Sequence, residues 1–224
     1  MDISEYDLPD IELLHGEVLS YRFLAWIPAF VCVVLGQSNE AEFSLHVKNI
    51  LKDNIPVYKR PSGGEAVLLS PRMVVVSILK RGDTFRTPRI YFETYNEKII
   101  NALHGLGVRD LRAEGISDIC IRDKKILGSS IYRNKDLVFY HAVLNVSEDI
   151  ELMERYLKHP RREPGYRKGR AHGEFVTSLA REGYELNPEE IRQAISARFS
   201  ESEFPFLNCP WLLEIYRAVG QSMD

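Results

Sequence analysis

Three stretches of the chain set cations and hydroxyls beside glycines in a way that could handle an anion. The first is VYKRPSGGEAVLLS, Val57 to Ser70, in which Lys59 and Arg60 precede Ser62, Gly63 and Gly64. Adjacent glycines let a backbone bend with positive φ and put no side chain between the main chain and a ligand. Successive N–H groups in such a bend converge on negative charge, and the neighbouring cations add to it, which points to a phosphate or phosphoanhydride. The same letters also read as an ordinary hairpin, because Gly-Gly between two strands commonly closes one. The second stretch is SDICIRDKKILGSS, Ser117 to Ser130, where Lys124 and Lys125 lead to Gly128 and Ser129; on its own letters the lysine pair reads as a solvated hairpin turn, with a glycine where backbone must approach something closely. The third is HPRREPGYRKGRAHG, His159 to Gly173, with Arg161, Arg162, Arg167, Lys168 and Arg170 among prolines and glycines. Its cations are either a wet loop or a surface that closes on an anion or meets an acidic partner.

Strands and helices must hold these stretches in place. Phe30 to Leu35 is a continuous apolar, β-branched block closed by Gly36, the pattern of a strand buried on both faces. Phe43 to Asp53 carries Phe43, Val47, Ile50 and Leu51 at helical spacing. Val57 to Ser70 then reads as strand, basic turn, strand, with the second apolar run continuing from Ala66 through Met73 to Val76. Glu65 alternates with Ala66 there, so its side chain is expected to face solvent. Arg89 to Leu106 is predicted as a helix that opens behind Thr87-Pro88 and ends at Gly105 and Gly107, with an apolar side read as core. Residues 116 to 133 form a hairpin pattern. Leu137 to Val146 is an apolar strand enclosing His141, read first as a satisfied structural residue. From Asp149 the pattern turns helical: Asp149 to Leu157 behind an acidic cap, Phe175 to Arg181, and a helix opened by Asn187 and Pro188. The tail is aromatic, broken by Pro205 and Pro210, and ends in one short amphipathic helix. Residues 17 to 26 match helix and strand templates equally.

Composition narrows the function class. The chain has 224 residues, is 45% hydrophobic, and carries 29 Lys+Arg against 32 Asp+Glu for a formal net charge of -3. One large domain with a sizeable core is expected, and no global basic field recommends nucleic acid. No apolar stretch approaches bilayer-spanning length, and the acidic N-terminus is unlike a targeting leader, so a soluble, cytoplasmic protein is expected. Cys32, Cys120 and Cys209 are odd in number and widely spaced, with no metal-ligand pattern, which suits thiols in a reducing compartment.

Taken in order, LGQSN (Leu35 to Asn39), KRPSGGEAV (Lys59 to Val67), SDICIRDKKILGSS, HAVLNV (His141 to Val146) and YRKGRAH (Tyr166 to His172) resemble the lipoate-protein ligase A branch of the biotin/lipoate A/B protein ligase superfamily. The collinear match covers most of Val31 to Leu179. The resemblance implies an α/β (α+β) fold with a mixed β-sheet flanked by helices, a class II biotin/lipoate ligase-like catalytic domain over residues 1–186, and residues 187–224 as a short helical extension without a full accessory domain. It implies a ligase that attaches lipoate or octanoate to a lysine of a lipoyl-domain carrier through an acyl-AMP intermediate, using ATP and Mg²⁺. The carrier would be of the 2-oxoacid dehydrogenase E2 or glycine-cleavage H type, with no nucleic acid or membrane partner. Lys125 falls on the family's catalytic lysine. Arg60, Ser62, Gly63, Gly64 and Ala66 fall on the acyl- and adenylate-binding loop, and Asp118, Gly128, Ser129, His141 and Arg170 on positions around the adenylate. Asp118 is also the candidate metal ligand.

The residues agree on their own terms. Acylating an amine needs an activated carboxyl, and a fixed ammonium beside a mixed anhydride would stabilise developing charge by about 10²–10³ in rate. An eight-carbon chain needs a mostly apolar pocket, which the Val/Ile/Leu-rich strands can line. The chain also departs from the pattern. Glu65 stands at the family's third loop glycine, Leu68-Leu69-Ser70 replace a His-Asp pair, and Ala142 follows His141 in place of glycine. These departures keep alternatives open: an acyl transferase working from an acyl-adenylate or acyl carrier protein, or a member that binds a lipoyl group or nucleotide without turnover. No cysteine lies between His141 and Tyr184, which argues against a thioester route. A separate accessory subunit, preformed acyl-adenylate, or neither are the three ways the adenylation step could be completed.

Overall fold

The structure, a computed structural model, describes residues 1–15, 21–82 and 86–201. The tail motif, Cys209 and part of the 17 to 26 stretch lie outside those residues. Two sheets and their covering helices make up the architecture. The larger sheet has the order β2-β6-β10-β9-β8-β7, with β2 (Tyr21–Trp26), β6 (Met73–Arg81), β7 (Leu111–Glu114), β8 (Asp118–Ile121), β9 (Lys124–Arg133) and β10 (Leu137–Asn145). All its pairings are antiparallel. The smaller sheet runs β1-β4-β3-β5, with β1 (Ser4–Glu5), β3 (Cys32–Leu35), β4 (Val57–Lys59) and β5 (Val67–Leu69). Here β4 is parallel to both β1 and β3, and β5 is antiparallel to β3. Mixed pairing is therefore confined to the smaller sheet.

The order of the smaller sheet corrects the hairpin reading. β3 is inserted between β4 and β5, so Arg60 to Ala66 does not turn one strand back on its neighbour; it crosses over the end of β3. The apolar run from Ala66 to Val76 is not one strand either. Ser70-Pro71-Arg72 forms a turn, closed by the Met73 N–H donating to the Ser70 carbonyl at 3.1 Å, and β5 and β6 belong to different sheets. Proline removes one ladder donor at that point, which favours a switch between sheets.

α3 (Pro88–Gly105) spans 18 residues with Pro at its first turn, and it buries Tyr91, Phe92, Tyr95, Ile99, Ala102 and Leu103. These pack with Val74, Val76, Ile78, Tyr140 and Ala142 of the large sheet in the main core. Each large apolar side chain so buried contributes roughly 1.5–3 kcal/mol. α6 (Pro188–Glu201) adds Ile191, Ile195 and Phe199 to the same core, and Phe199 stacks on Phe23 at 4.7 Å. Its start is a capping box: Asn187 N donates to Glu190 Oε2 and Glu190 N to Asn187 Oδ1, both at 2.9 Å.

The helix predicted over residues 43–53 is divided, and the one predicted over residues 175–181 does not form. The 43–53 pattern divides into α1 (Ala41–Ser44) and α2 (Val47–Lys52), because Leu45 bridges to Leu157 and ends the first turn. α4 (Ile150–Tyr156) lies beside them, and α5 is a single turn, His172–Phe175. The segment after Phe175 is not helical: Val176 makes a parallel bridge with Lys125, and Thr177 N donates to the Lys125 carbonyl at 2.9 Å. Among the described residues no helix is long and apolar enough to cross a membrane.

Candidate functional site

The crossover after β4 is built around Arg60. This guanidinium is only 6% exposed. Its Nε donates to Ser62 Oγ at 3.0 Å, Nη1 to the Val34 carbonyl at 3.2 Å, and Nη2 to the carbonyls of Gly63 and Glu65, both at 2.9 Å. A buried cation needs such partners, and burial still draws it down to about 10. Arg60 is thus a tie-rod inside the loop, where sequence reasoning placed it against a phosphate. Gly64 sits at φ 93, and Gly36 must be glycine because an added Cβ would meet the Gly64 carbonyl oxygen at 2.0 Å. A Cβ on Gly63 would meet nothing within 4 Å, so that edge of the loop is open to a ligand. Ala66, half-buried, packs against the smaller sheet's core.

A second buried chain runs beneath this loop. Ser62 Oγ lies 2.5 Å from His141 Nε2. The two atoms share one proton, carried by the hydroxyl or by Nε2 according to the ring tautomer, and the other ring nitrogen is Nδ1. That nitrogen faces Asp10 Oδ2 at 4.0 Å. Asp10, fully buried, accepts from Tyr6 Oη at 2.8 Å and Ser77 Oγ at 2.6 Å. Burial, with Arg60 adding to it, holds His141 down to about 3, so the ring is neutral. Burial raises the Asp10 carboxyl in turn. His141 is therefore a structural partner of the loop, in keeping with its apolar strand. Asp10 carries no sequence signal, since nothing in LPDIELL marks an aspartate that docks on another sheet.

The β8–β9 hairpin supplies the accessible chemistry. Arg122 at φ 52 makes its turn, and a register shift at Ile119/Cys120 brings Asp118 opposite Gly128. Lys125 Nζ lies 2.8 Å from Asp118 Oδ1, with the lysine side chain 27% exposed. A Cβ on Gly128 would stand 2.6 Å from that Nζ, so the glycine is what lets the ammonium lie across its own strand. Ser129 pins the hairpin, its N–H and Oγ both donating to the Ser117 carbonyl at 3.0 and 2.7 Å. Ser130 Oγ donates to the Gly63 carbonyl at 2.8 Å and so joins the hairpin to the glycine loop.

The basic segment folds onto both. Tyr166 Oη donates to Asp118 Oδ2 at 2.6 Å, and Arg170 Nη1 reaches Asp123 Oδ2 at 3.1 Å. Arg167 and Arg170 lie 4.8 and 5.2 Å from the Phe175 ring centroid. Glu65, expected to face solvent from a strand, sits in the loop instead, and its Oε1 accepts the Arg162 N–H at 3.2 Å. Both oxygens of Asp118 are engaged, and among the described residues no three His, Cys, Asp or Glu side chains are placed to hold a metal ion. Asp118 thus stands as the shared partner of Lys125 and Tyr166, and its candidacy as a metal ligand rests on the resemblance alone. Cys32 and Cys120 are buried free thiols; burial pushes Cys32 up to about 12 and raises Cys120. Neither is set up as a nucleophile. A cavity of about 260 Å³ lined by Tyr91, Tyr95, Lys80 and Lys98 lies on the α3 side and holds none of these residues.

Comparison with known proteins places this arrangement. Residues 16–200 match the profile of a family described as lipoyl protein ligase A/B catalytic domain. The chain is 29% identical over 177 residues to lipoate-protein ligase A of Psychrobacter cryohalolentis, covering 75% of this chain and 48% of that protein, about half its length. It is similar, at TM-score 0.68 and 25% identity, to a structure of a bi-partite lipoate protein ligase and its E2 lipoyl domain from Thermoplasma acidophilum, covering 81% of this chain and 69% of that one. It is also similar, at TM-score 0.66 and 25% identity, to a lipoate-protein ligase A bound with ATP, covering 81% and 71%.

Proposed function

The chain belongs to the lipoyl protein ligase A/B catalytic-domain family, and on that premise we propose that it attaches lipoate, or octanoate, to a lysine of a lipoyl-domain carrier through an acyl-AMP intermediate. The observation that carries this reading is the Lys125–Asp118 pair, set over Gly128 on the hairpin that Ser130 ties to the glycine loop. In the first step the lipoate carboxylate attacks the α-phosphate of ATP and pyrophosphate leaves; in the second the carrier's neutral amine attacks the acyl carbonyl, AMP leaves, and the nitrogen gives up one proton to the released AMP or to solvent. Lys125 serves both steps as a fixed positive charge beside the phosphate oxygens, stabilising negative charge as it develops. Asp118 keeps the ammonium from swinging away between turnovers. The Gly63–Gly64 edge gives the acyl-adenylate close approach to main chain, and Arg60, Ser62 and His141 hold that edge rigid. Mg²⁺ would enter with the phosphates of ATP rather than on a cage of protein ligands.

The related ligases support the substrate assignment, one being bound with ATP and another solved with its E2 lipoyl domain. A separate accessory subunit is consistent with the bi-partite relative, and a reducing, cytoplasmic setting suits two free thiols. We treat residues 1–186 as the catalytic domain and residues 187–224 as an extension of that same domain; for the described part of the extension, the packing of α6 into the main core supports a single unit. The buried, raised thiols of Cys32 and Cys120 weigh against the transferase alternative through a thioester. The test is direct: purified protein with ATP, Mg²⁺, lipoate and a lipoyl domain should release AMP and add one lipoyl group to the domain by mass. If neither occurs, with or without an added accessory subunit, the ligase reading is wrong.

A further inference from the structure

Tyr166 stands on the basic loop, yet its hydroxyl ends on the partner of the reacting lysine. It donates to Asp118 Oδ2 at 2.6 Å, while Oδ1 of the same carboxylate takes Lys125 Nζ at 2.8 Å. One carboxylate thus joins loop to lysine. Burial and the adjacent Asp118 push the phenol far up, so its proton stays in place and the bond runs one way. The ring is held independently of that hydroxyl. Its centroid is 5.2 Å from that of Phe175, and it lies so close to Gly115 that an added Cβ there would stand 3.2 Å from it. The loop meets the hairpin again at its turn, where Arg170 reaches Asp123, and the segment that follows α5 joins the lysine's own strand through Thr177 N on the Lys125 carbonyl. The loop and the segment after it are thus both fastened to the hairpin that carries the lysine.

The geometry points to Tyr166 as a positioning residue for Lys125. By occupying Oδ2 it sets the rotation of the Asp118 carboxylate, so Oδ1 holds the ammonium over Gly128, and the loop's closure is coupled to the place of the charge. This rests on the reading of Lys125 as the reacting cation. Without the hydroxyl the carboxylate can turn about its own bond and the ammonium loses its fixed seat, to which rate is steeply sensitive.

Tyr166→Phe keeps the ring and removes one oxygen. It should lower kcat for acyl transfer by about 10-fold, leave KM for lipoate within about 2-fold, and lower the melting temperature by no more than a few degrees. In a cycle with Asp118→Asn the second change should cost little once the first is made. A readout independent of turnover is the rate at which trinitrobenzenesulfonate labels Lys125, scored by peptide mapping against exposed Lys48; it should rise several-fold in Tyr166→Phe. Unchanged labelling of Lys125, whatever the melting temperature, or plain additivity with Asp118→Asn, overturns the proposal. If wild-type protein transfers no acyl group, the ligase reading fails while the labelling comparison still decides the role of Tyr166.

Discussion

Arg60 and Lys125 are both cations beside glycines, and the fold treats them in opposite ways. Arg60 is buried and spends its donors on a hydroxyl and three main-chain carbonyls, all within the chain's own loop and strand. Lys125 is partly exposed and held by one carboxylate that a tyrosine steadies from the other side. A planar fork with donors in fixed directions suits the first task, and a compact ammonium on a flexible stem suits the second. A cation near a glycine turn can thus be a builder of the turn or a tool of the site. What separates them is how many of its hydrogen bonds the protein itself has already taken.

The contrast can be broken or sharpened by substitution. The largest effect belongs to Arg60→Leu, which strands buried carbonyls and should cost about 3–5 kcal/mol in urea unfolding. Activity in that variant should fall only as the loop does. Lys125→Ala should weight the effects the other way, lowering acyl transfer by about 10²–10³ while costing less in urea unfolding than Arg60→Leu; an unchanged rate would remove Lys125 from the mechanism. Next comes the pH dependence on the Arg60 side. His141 is held at about 3 against an ordinary 6.5, so between those values the unfolded chain binds the extra proton. Stability is complete above about 6.5 and is lost as pH falls towards 3. His172, held down to about 4, adds the same sign, whereas Asp10, raised by burial, opposes it. Urea melts at about pH 7 and 5 should show His141→Gln flattening this slope by on the order of 2 kcal/mol. Gly128→Ala should push the lysine off its seat and cost roughly 10-fold in kcat with little loss of stability. Smallest is Glu65→Gly, which removes one exposed hydrogen bond and should change unfolding by no more than about 1 kcal/mol. Limited proteolysis after Arg161 and Arg162 should nonetheless quicken, since that bond ties their loop down.

Much of the scaffold was legible. Buried strands such as Cys32–Leu35 and Leu137–Asn145 are continuous apolar runs, and the helix at Pro88–Gly105 has a proline start, a 3.6-residue stripe and glycine beyond it. Periodicity is a local property, and these elements obey it. What was not legible depends on partners far away in the chain. The insertion of β3 between β4 and β5 leaves no mark in the letters of Val57 to Ser70, so a crossover looked like a hairpin. For the same reason Arg60 looked free for a phosphate, since the carbonyls that claim it come from Val34 as well as its own loop. Lys125 and Asp118 came through resemblance, and the structure sets them 2.8 Å apart. Tyr166 lay inside a quoted motif without a task, and Asp10 lay in none.

The place of β3 also bears on how the protein comes to exist. Strands β4 and β5 are near in sequence, but the loop between them arches over a strand from more than twenty residues upstream, which lies between them in parallel with β4. Parallel, non-local pairing is a slow step, because chain entropy is lost before contacts return it. The glycine loop cannot then preform as an autonomous turn, and a peptide spanning Val57 to Ser70 should have no anion affinity of its own. Binding competence should appear in refolding together with the smaller sheet, neither earlier nor separately.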